Sequence, residues 1–200
     1  MSVYIQTAEA ISSQETFDNT DISFDIIHNN EAYFKCIAPD YKKYIEPALL
    51  RRMSKILKNG VASAVNCLNK AKISQPDAIL VGTGLGCIDD TSKFFHQIID
   101  NSESLLNPTP FINSTHNSIS GQIALIINCK NYNLTFSQMS ISFETALLEA
   151  LMLFNEKAVR TVLLGGIDEI NDETYKLIEL SGCYNLINTK LSEGSTFFVL

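Results

Sequence analysis

The stretch 135–166 constrains the fold more than any other part of this sequence. A short strand-like run opens it, and an apolar segment with the length of a helix, Ser140–Asn155, follows a sharp turn. Val162–Gly166 then has the pattern of a second strand, closed by paired glycines. The helical segment carries charge only at Glu144 and Glu149, so it lacks the polar face of a surface helix. We therefore predict a central helix enclosed between strands.

Other strands alternate with helices along the chain. Residues 1–11 alternate apolar and polar positions, Ala78–Val81 is continuously apolar, and Asn131–Ser137 and Ser195–Leu200 complete the set. A short continuously apolar strand is typical of burial on both sheet faces. Alternating strands and helices predict an α/β fold, here with a mixed sheet.

Three further helices and two irregular segments are predicted. Pro47 opens a helix that continues to Ala71, since proline fits the first helical position. Helices are also expected over about 90–99 and over 116–127, and Pro108-Thr-Pro110 is predicted to be a rigid connection. Residues 12–45 are polar, aromatic and irregular, which fits either a long ordered insertion or a flexible loop.

Charge and cysteine content exclude several classes of function. The net charge of −7 argues against nucleic-acid binding, because phosphate recognition needs clustered lysine and arginine. No signal peptide and no apolar run of roughly 20 residues is apparent, so we expect a cytoplasmic protein without a membrane span. The scattered cysteines predict reduced thiols rather than a metal site, with Cys87 and Cys129 as small buried residues. They are Cys36, Cys67, Cys87, Cys129 and Cys183.

The loop Gly82-Thr-Gly84-Leu-Gly86 resembles a dinucleotide-binding fingerprint only superficially. It lacks the third glycine, and no acidic residue ends a second strand at the expected distance. We expect the glycines to serve a tight turn with close backbone contact, and we predict no cofactor.

Six segments in order carry a resemblance to a known family. They are Leu50-Arg-Arg-Met53, Gly82–Gly86, Asn117–Ala124, Thr135–Ala150, Leu164–Glu169 and Glu193-Gly194. Together they resemble the N-terminal half of a β-ketoacyl synthase of the thiolase superfamily. Divergent ketosynthase-like and chain-length-factor-like proteins of aryl polyene and flexirubin-type pathways are the most similar. The resemblance implies one domain over residues 1–200, with 12–45 as a divergent insertion or loop.

Within this resemblance, Ser140 occupies the position of the family's nucleophilic cysteine. A helix N-terminus lowers a thiol pKa and favours the attacking thiolate, whereas a serine hydroxyl needs a positioned base. The family's two catalytic histidines belong to the C-terminal half, and none of the three histidines here matches them. A His116–Ser140 dyad is one alternative, and an interface or capping role for His116 is the other. His28 and His96 are expected at the surface.

The resemblance favours a subunit that does not catalyse alone, similar to a chain-length factor. Its implied partners are an active ketosynthase and an acyl carrier protein. Residues near the shared interface would then shape the acyl tunnel sterically, and five are candidates: Phe111, Thr115, His116, Ile119 and Phe143. Because the central helix is apolar all round, the isolated chain is expected to be poorly soluble or obligately associated.

Two other functions remain open, as does the role of the basic residues. Ser140 could serve an acyltransferase or thioesterase-like enzyme, or the 200 residues could be a fragment of a longer β-ketoacyl synthase-like protein. The basic residues of the first long helix form either a solvated face or a landing site for an acidic carrier protein. They are Arg51, Arg52, Lys55, Lys58 and Lys70.

Overall fold

The computed structural model describes residues 2–19, 26–28, 31–182 and 190–200. Within this part, a five-stranded sheet has the order β1-β5-β4-β2-β3. Strand β2 runs parallel to β3 and β4, while β5 runs antiparallel to β4 and β1, so the predicted mixed sheet is confirmed. The strands are β1 (Thr7–Ile11), β2 (Ala78–Gly82), β3 (Tyr132–Phe136), β4 (Val162–Asp168) and β5 (Gly194–Val199).

Seven α-helices accompany the strands in the described residues. They are α1 (Pro47–Leu50), α2 (Lys55–Ala71), α3 (Ile88–Asp100), α4 (Pro108–Ser114), α5 (Ser118–Ile126), α6 (Ser142–Asn155) and α7 (Asp172–Leu180). Helix α7 has no counterpart among the predicted elements.

Two predicted segments differ from the structure. The expected continuous helix from Pro47 to Ala71 is interrupted, because Ser54 has extended backbone angles (φ −70°, ψ 172°) and starts α2 as its N-cap. Pro108-Thr-Pro110 is not a connection but the first turn of α4. The Asn107 side chain accepts a hydrogen bond from the Thr109 N–H at 3.0 Å, and Pro108 has no N–H to leave unpaired.

The sheet is covered on both faces. Helices α2 and α5 pack on one face, where Leu57, Ile79 and Phe197 belong to a continuous apolar core. Helix α6 packs on the other face through Ala146 and Ala150, both fully buried. Small side chains let the helix approach the strands closely, which explains why alanine stands on this side of α6.

The opposite side of α6 is uncovered within this chain. Leu148 is 58% exposed, Leu151 is 43% exposed and Met152 is 50% exposed. The enclosure that the apolar sequence predicts is therefore one-sided here, and the remaining apolar surface is open.

The described parts of 12–45 are attached to the domain. The Tyr33 hydroxyl, on a buried side chain, donates to Asp172 at 3.0 Å, and Phe34 forms a backbone bridge to Ser192. On β1, the carboxylate of Glu9 accepts a hydrogen bond from the Asp18 N–H at 2.9 Å. These contacts favour an ordered insertion over a free loop for the residues described.

Several minor predictions concern histidines and cysteines. His28 and His96 are exposed, as expected, and His96 pairs with Glu173 at 2.5 Å. Cys87 and Cys129 are buried free thiols, as predicted. Cys183 lies outside the described residues.

Candidate functional site

The turn between β3 and α6 presents Ser140 at the surface. Met139 has a positive φ of 55°, a conformation that non-glycine residues rarely adopt. The buried Ser142 side chain holds this turn: its hydroxyl accepts from the Gln138 N–H at 2.8 Å and donates to the Met139 carbonyl at 2.8 Å. Ser140 therefore sits exposed in a 3₁₀ turn, Met139–Ile141, and the α-helix begins two residues later than predicted.

Ser140 lines a pocket of about 320 Å³ at the carboxyl ends of β2 and β4. A side chain on Gly82 would begin 2.7 Å from the Phe143 backbone nitrogen, so glycine is required for α6 to approach this strand. The Phe143 ring lies over Gly166, where an added Cβ would meet it at 3.1 Å. The paired glycines thus make room for the first turn of the helix and for one wall of the pocket.

Asp168 projects into the same pocket from the end of β4. Its Oδ1 accepts hydrogen bonds from the Gly84 N–H at 2.7 Å, the Thr83 hydroxyl at 3.1 Å and the Leu85 N–H at 3.3 Å. Partial burial raises the pKa of Asp168, although these donors act in the opposite direction. The N–H groups that a nucleotide phosphate would need in the Gly82–Gly86 loop are therefore engaged by a carboxyl group of the chain itself.

Of the predicted site residues, the structure brings Ser140 and Phe143 together in this pocket. His116 lies elsewhere. Its exposed ring covers Gly86, where an added Cβ would lie 2.9 Å from Cδ2, and it lines a separate pocket of about 630 Å³ beside β3. Among the described residues, no hydrogen bond joins His116 to Ser140.

The other three candidates occupy α4 and the start of α5. Phe111 is 55% exposed, and its ring centroid lies 5.1 Å from that of Phe94, with the two ring planes tilted by 45°. The Thr115 hydroxyl shares a hydrogen bond with Ser118 at 2.8 Å, whereas Ile119 is 1% exposed and packs against α2. None of the three lines the pocket of Ser140.

A group of buried acids behind the pocket is not evident from the sequence. Glu169 is 5% exposed, and burial raises its pKa to about 8. Glu193 pairs with Lys55 and accepts from the Cys36 N–H at 3.1 Å. Burial also raises the pKa of Cys36 to about 12 and raises the pKa of Cys87, which favours the protonated thiol over the reactive thiolate at both positions.

Two further kinds of site can be compared with the structure: a metal site and a landing site for an acidic carrier protein. In the described part of the chain, no group of three or more histidine, cysteine or acidic side chains could hold a metal ion. Lys55 is bound to Glu193, and Lys70 contacts Glu9 at 2.7 Å. Arg51 and Arg52 are exposed, so they are the predicted basic residues that a partner could reach most readily.

Asp168 is the site residue that sequence reasoning missed. The segment Leu164–Glu169 was visible as a motif, and β2 and β4 were both expected as buried strands. Parallel neighbouring strands end at the same edge of a sheet, so the pairing of β2 with β4 is the signal that places Asp168 next to the Gly82–Gly86 loop.

Comparison with solved structures places this geometry in a known fold. A ketosynthase (ApeO) in complex with its chain length factor (ApeC) from Xenorhabdus doucetiae is 19% identical, with a TM-score of 0.71 over 100% of this chain and 78% of that one. The ishigamide ketosynthase/chain length factor is 15% identical, with a TM-score of 0.71 over 89% and 50%. The type II polyketide synthase complex AntDE:AntF is 15% identical, with a TM-score of 0.71 over 98% and 60%.

These likenesses show the fold, and the chain spans between 50% and 78% of the three matched chains. Among the helices of the described residues, none combines the length and apolar character that a bilayer crossing requires.

The sequence matches no curated protein. The family model for the β-ketoacyl synthase N-terminal domain matches residues 29–187, a range that includes the Ser140 turn and both glycine-rich strand ends. The chain therefore belongs to the β-ketoacyl synthase N-terminal domain family.

Proposed function

We propose that this chain is a non-condensing, chain-length-factor-like subunit that pairs with an active ketosynthase. The resemblance, in which Ser140 takes the nucleophile position, is joined by one observation that carries the proposal: no described residue lining the pocket of Ser140 is a cysteine, histidine or lysine. Condensation in this family begins with an acyl chain on a thiolate, and a helix N-terminus alone does not ionise a serine hydroxyl. The pocket therefore lacks the groups that would start condensation.

An open apolar surface supports an obligate partner. Leu148 and Met152 are exposed on α6, and β3 is an edge strand of the sheet with Tyr132 and Leu134 each about two-fifths exposed. Unpaired edge strands beside apolar patches are sites of association. Two of the similar structures are described as ketosynthases with chain length factors, which agrees with a ketosynthase as the partner.

We place the pair in the cytoplasm, in fatty-acid or polyketide-type biosynthesis of the aryl polyene kind, with an acyl carrier protein as substrate carrier. The AntDE:AntF structure contains an acyl-carrier protein with its ketosynthase, and the exposed Arg51 and Arg52 suit an acidic carrier. In this role the chain limits product length sterically, because a bulky side chain at the tunnel end makes further extension require overpacking.

The test replaces Phe111 with alanine and measures the products of the reconstituted pair by mass spectrometry. Phe111→Ala is expected to lengthen the products, since the family resemblance assigns this exposed ring to the subunit interface that closes the acyl tunnel. Phe95→Ala is the matched control, because Phe95 is also an exposed phenylalanine (59% against 55%) on the neighbouring helix. Unchanged product length in Phe111→Ala, or equal lengthening in both variants, would remove Phe111 from the tunnel.

A second candidate function is acyl transfer onto Ser140. It is favoured by a specific observation, the carboxyl group of Asp168 in the same pocket.

A further inference from the structure

We propose that Asp168 is a general base for Ser140, and that this pair transfers acyl groups from thioesters to the serine hydroxyl. The activity is distinct from condensation, and it does not rest on the proposed role as a chain-length factor. It assigns a chemical function to a pocket that the loss of the cysteine would otherwise leave inert.

The orientation of the carboxyl group is the first support. All three hydrogen bonds that Asp168 accepts go to Oδ1, from Thr83, Gly84 and Leu85. Within the described residues Oδ2 accepts none, so this oxygen remains available to take a proton. Hydrogen bonds to Oδ1 fix the side chain of Asp168, and Oδ2 is left free to act as a base.

The relation between the carboxylate and the serine turn is the second support. Both groups line one pocket of about 320 Å³. A side chain on Gly84 would begin 3.4 Å from Asp168 Oδ1 and 3.4 Å from the Met139 carbonyl oxygen. The carboxyl group and the turn that carries Ser140 therefore flank the same point, and glycine leaves the space between them open.

The shape of the turn is the third support. Met139 is held at positive φ by the two Ser142 hydrogen bonds, which expose the Ser140 side chain at the start of α6. The N-terminal end of a helix carries a partial positive charge that stabilises a nearby negative charge. The Ile141 and Ser142 N–H groups already donate to the Gln138 and Met139 carbonyls, so the positive end of the α6 dipole would stabilise a tetrahedral oxyanion formed next to Ser140.

The step balances with a thioester as the acyl donor. The Ser140 oxygen attacks the thioester carbonyl carbon while the hydroxyl proton moves to Asp168 Oδ2. The carbon–sulfur bond then breaks with its electron pair on sulfur, and the leaving sulfur takes the proton from Asp168. The products are a serine ester and a free thiol, and the carboxylate is restored.

The experiment measures acylation of the purified chain by octanoyl-N-acetylcysteamine thioester, using intact-mass spectrometry over time. Intact mass separates subunits, so a chain that co-purifies with a ketosynthase is measured equally well. The key variant is Asp168→Asn, because the amide oxygen still accepts the three hydrogen bonds at the Oδ1 position while the amide nitrogen cannot accept a proton. Ser140→Ala defines the acylated residue, and Ser137→Ala is a control at an adjacent exposed serine.

We expect an octanoyl adduct in the natural chain and in Ser137→Ala, none in Ser140→Ala, and acylation slowed about 100-fold or more in Asp168→Asn. The rate for the natural chain should fall as pH decreases through the titration of Asp168, while the slower rate of Asp168→Asn should lack that dependence. No adduct in the natural chain, or equal rates and pH profiles in Asp168→Asn, would overturn the proposal. Product length in the reconstituted pair is a separate measurement, so a failure here leaves the partner role standing.

Discussion

Replacing Gly165 with alanine should destabilise the domain through a single steric conflict in the core. A Cβ on Gly165 would lie 2.2 Å from Cε1 and 2.4 Å from Cδ1 of Phe197, whose ring is fully buried on the neighbouring strand. Because Phe197 is fully buried, relief of the clash requires its ring or strands β4 and β5 to shift within the core. Overpacking of this kind costs about 1–3 kcal/mol of unfolding free energy, sometimes more.

The assay is urea unfolding followed by circular dichroism, with two companion variants. Gly121→Ala is the matched control, because an added Cβ there meets nothing within 4 Å and alanine favours the helix by up to about 1 kcal/mol. Combining Gly165→Ala with Phe197→Leu should cost less than the sum of the two single changes, with a coupling of about 0.5–3 kcal/mol. If Gly165→Ala unfolds at the same urea concentration as the natural chain, or if the double variant is strictly additive, the steric reasoning is wrong.

Three further outcomes are expected. Ser142→Ala removes the partner of the Gln138 N–H and leaves the Met139 carbonyl with only the backbone N–H of residue 142, which should lower the unfolding free energy by about 1–3 kcal/mol in urea unfolding; an unchanged midpoint would mean that this hydroxyl does not hold the turn. Burial raises the Glu169 pKa from 4.5 to about 8, so its stabilising contribution is complete below 4.5 and is lost as pH rises through 8. Glu169→Gln should flatten the decline in unfolding free energy over that range, and an unchanged pH profile would contradict this assignment. Leu148→Lys should weaken co-purification with the proposed ketosynthase partner, whereas Leu180→Lys, at an exposed leucine on α7, should not; equal effects would argue against a partner on α6.

Local pattern accounts for most of the elements. The continuously apolar run at Ala78–Val81 and the run that ends at Gly165-Gly166 predict buried strands, and both lie at the centre of the sheet. Local pattern fails at Ser54, because the helical spacing of apolar residues continues across it although the backbone there is extended. Helical periodicity indicates which residues face the core. A short break between two helices that pack on the same core leaves those residues buried, so the periodicity does not reveal the break.

In the candidate site, too, some features follow from neighbouring residues and others depend on tertiary packing. The Ser140 turn was predictable because strand, turn and helix follow one another within a few residues. The Thr83–Asp168 hydrogen bond joins residues 85 positions apart, and it exists because β2 and β4 are parallel neighbours. The separation of His116 from Ser140 into different pockets is equally a result of packing.

The sequence by itself determined the mixed α/β architecture, the serine at the turn between strand and helix, and the apolar helix that follows it, since each depends on residues close together in the chain. Only the tertiary structure decided that a carboxyl group shares the pocket with Ser140, that the glycine loop binds this carboxyl group, and that one side of α6 stays open. These features depend on which strands pair and which faces meet. Strand pairing is set by the summed packing of the whole chain, so no single segment encodes it.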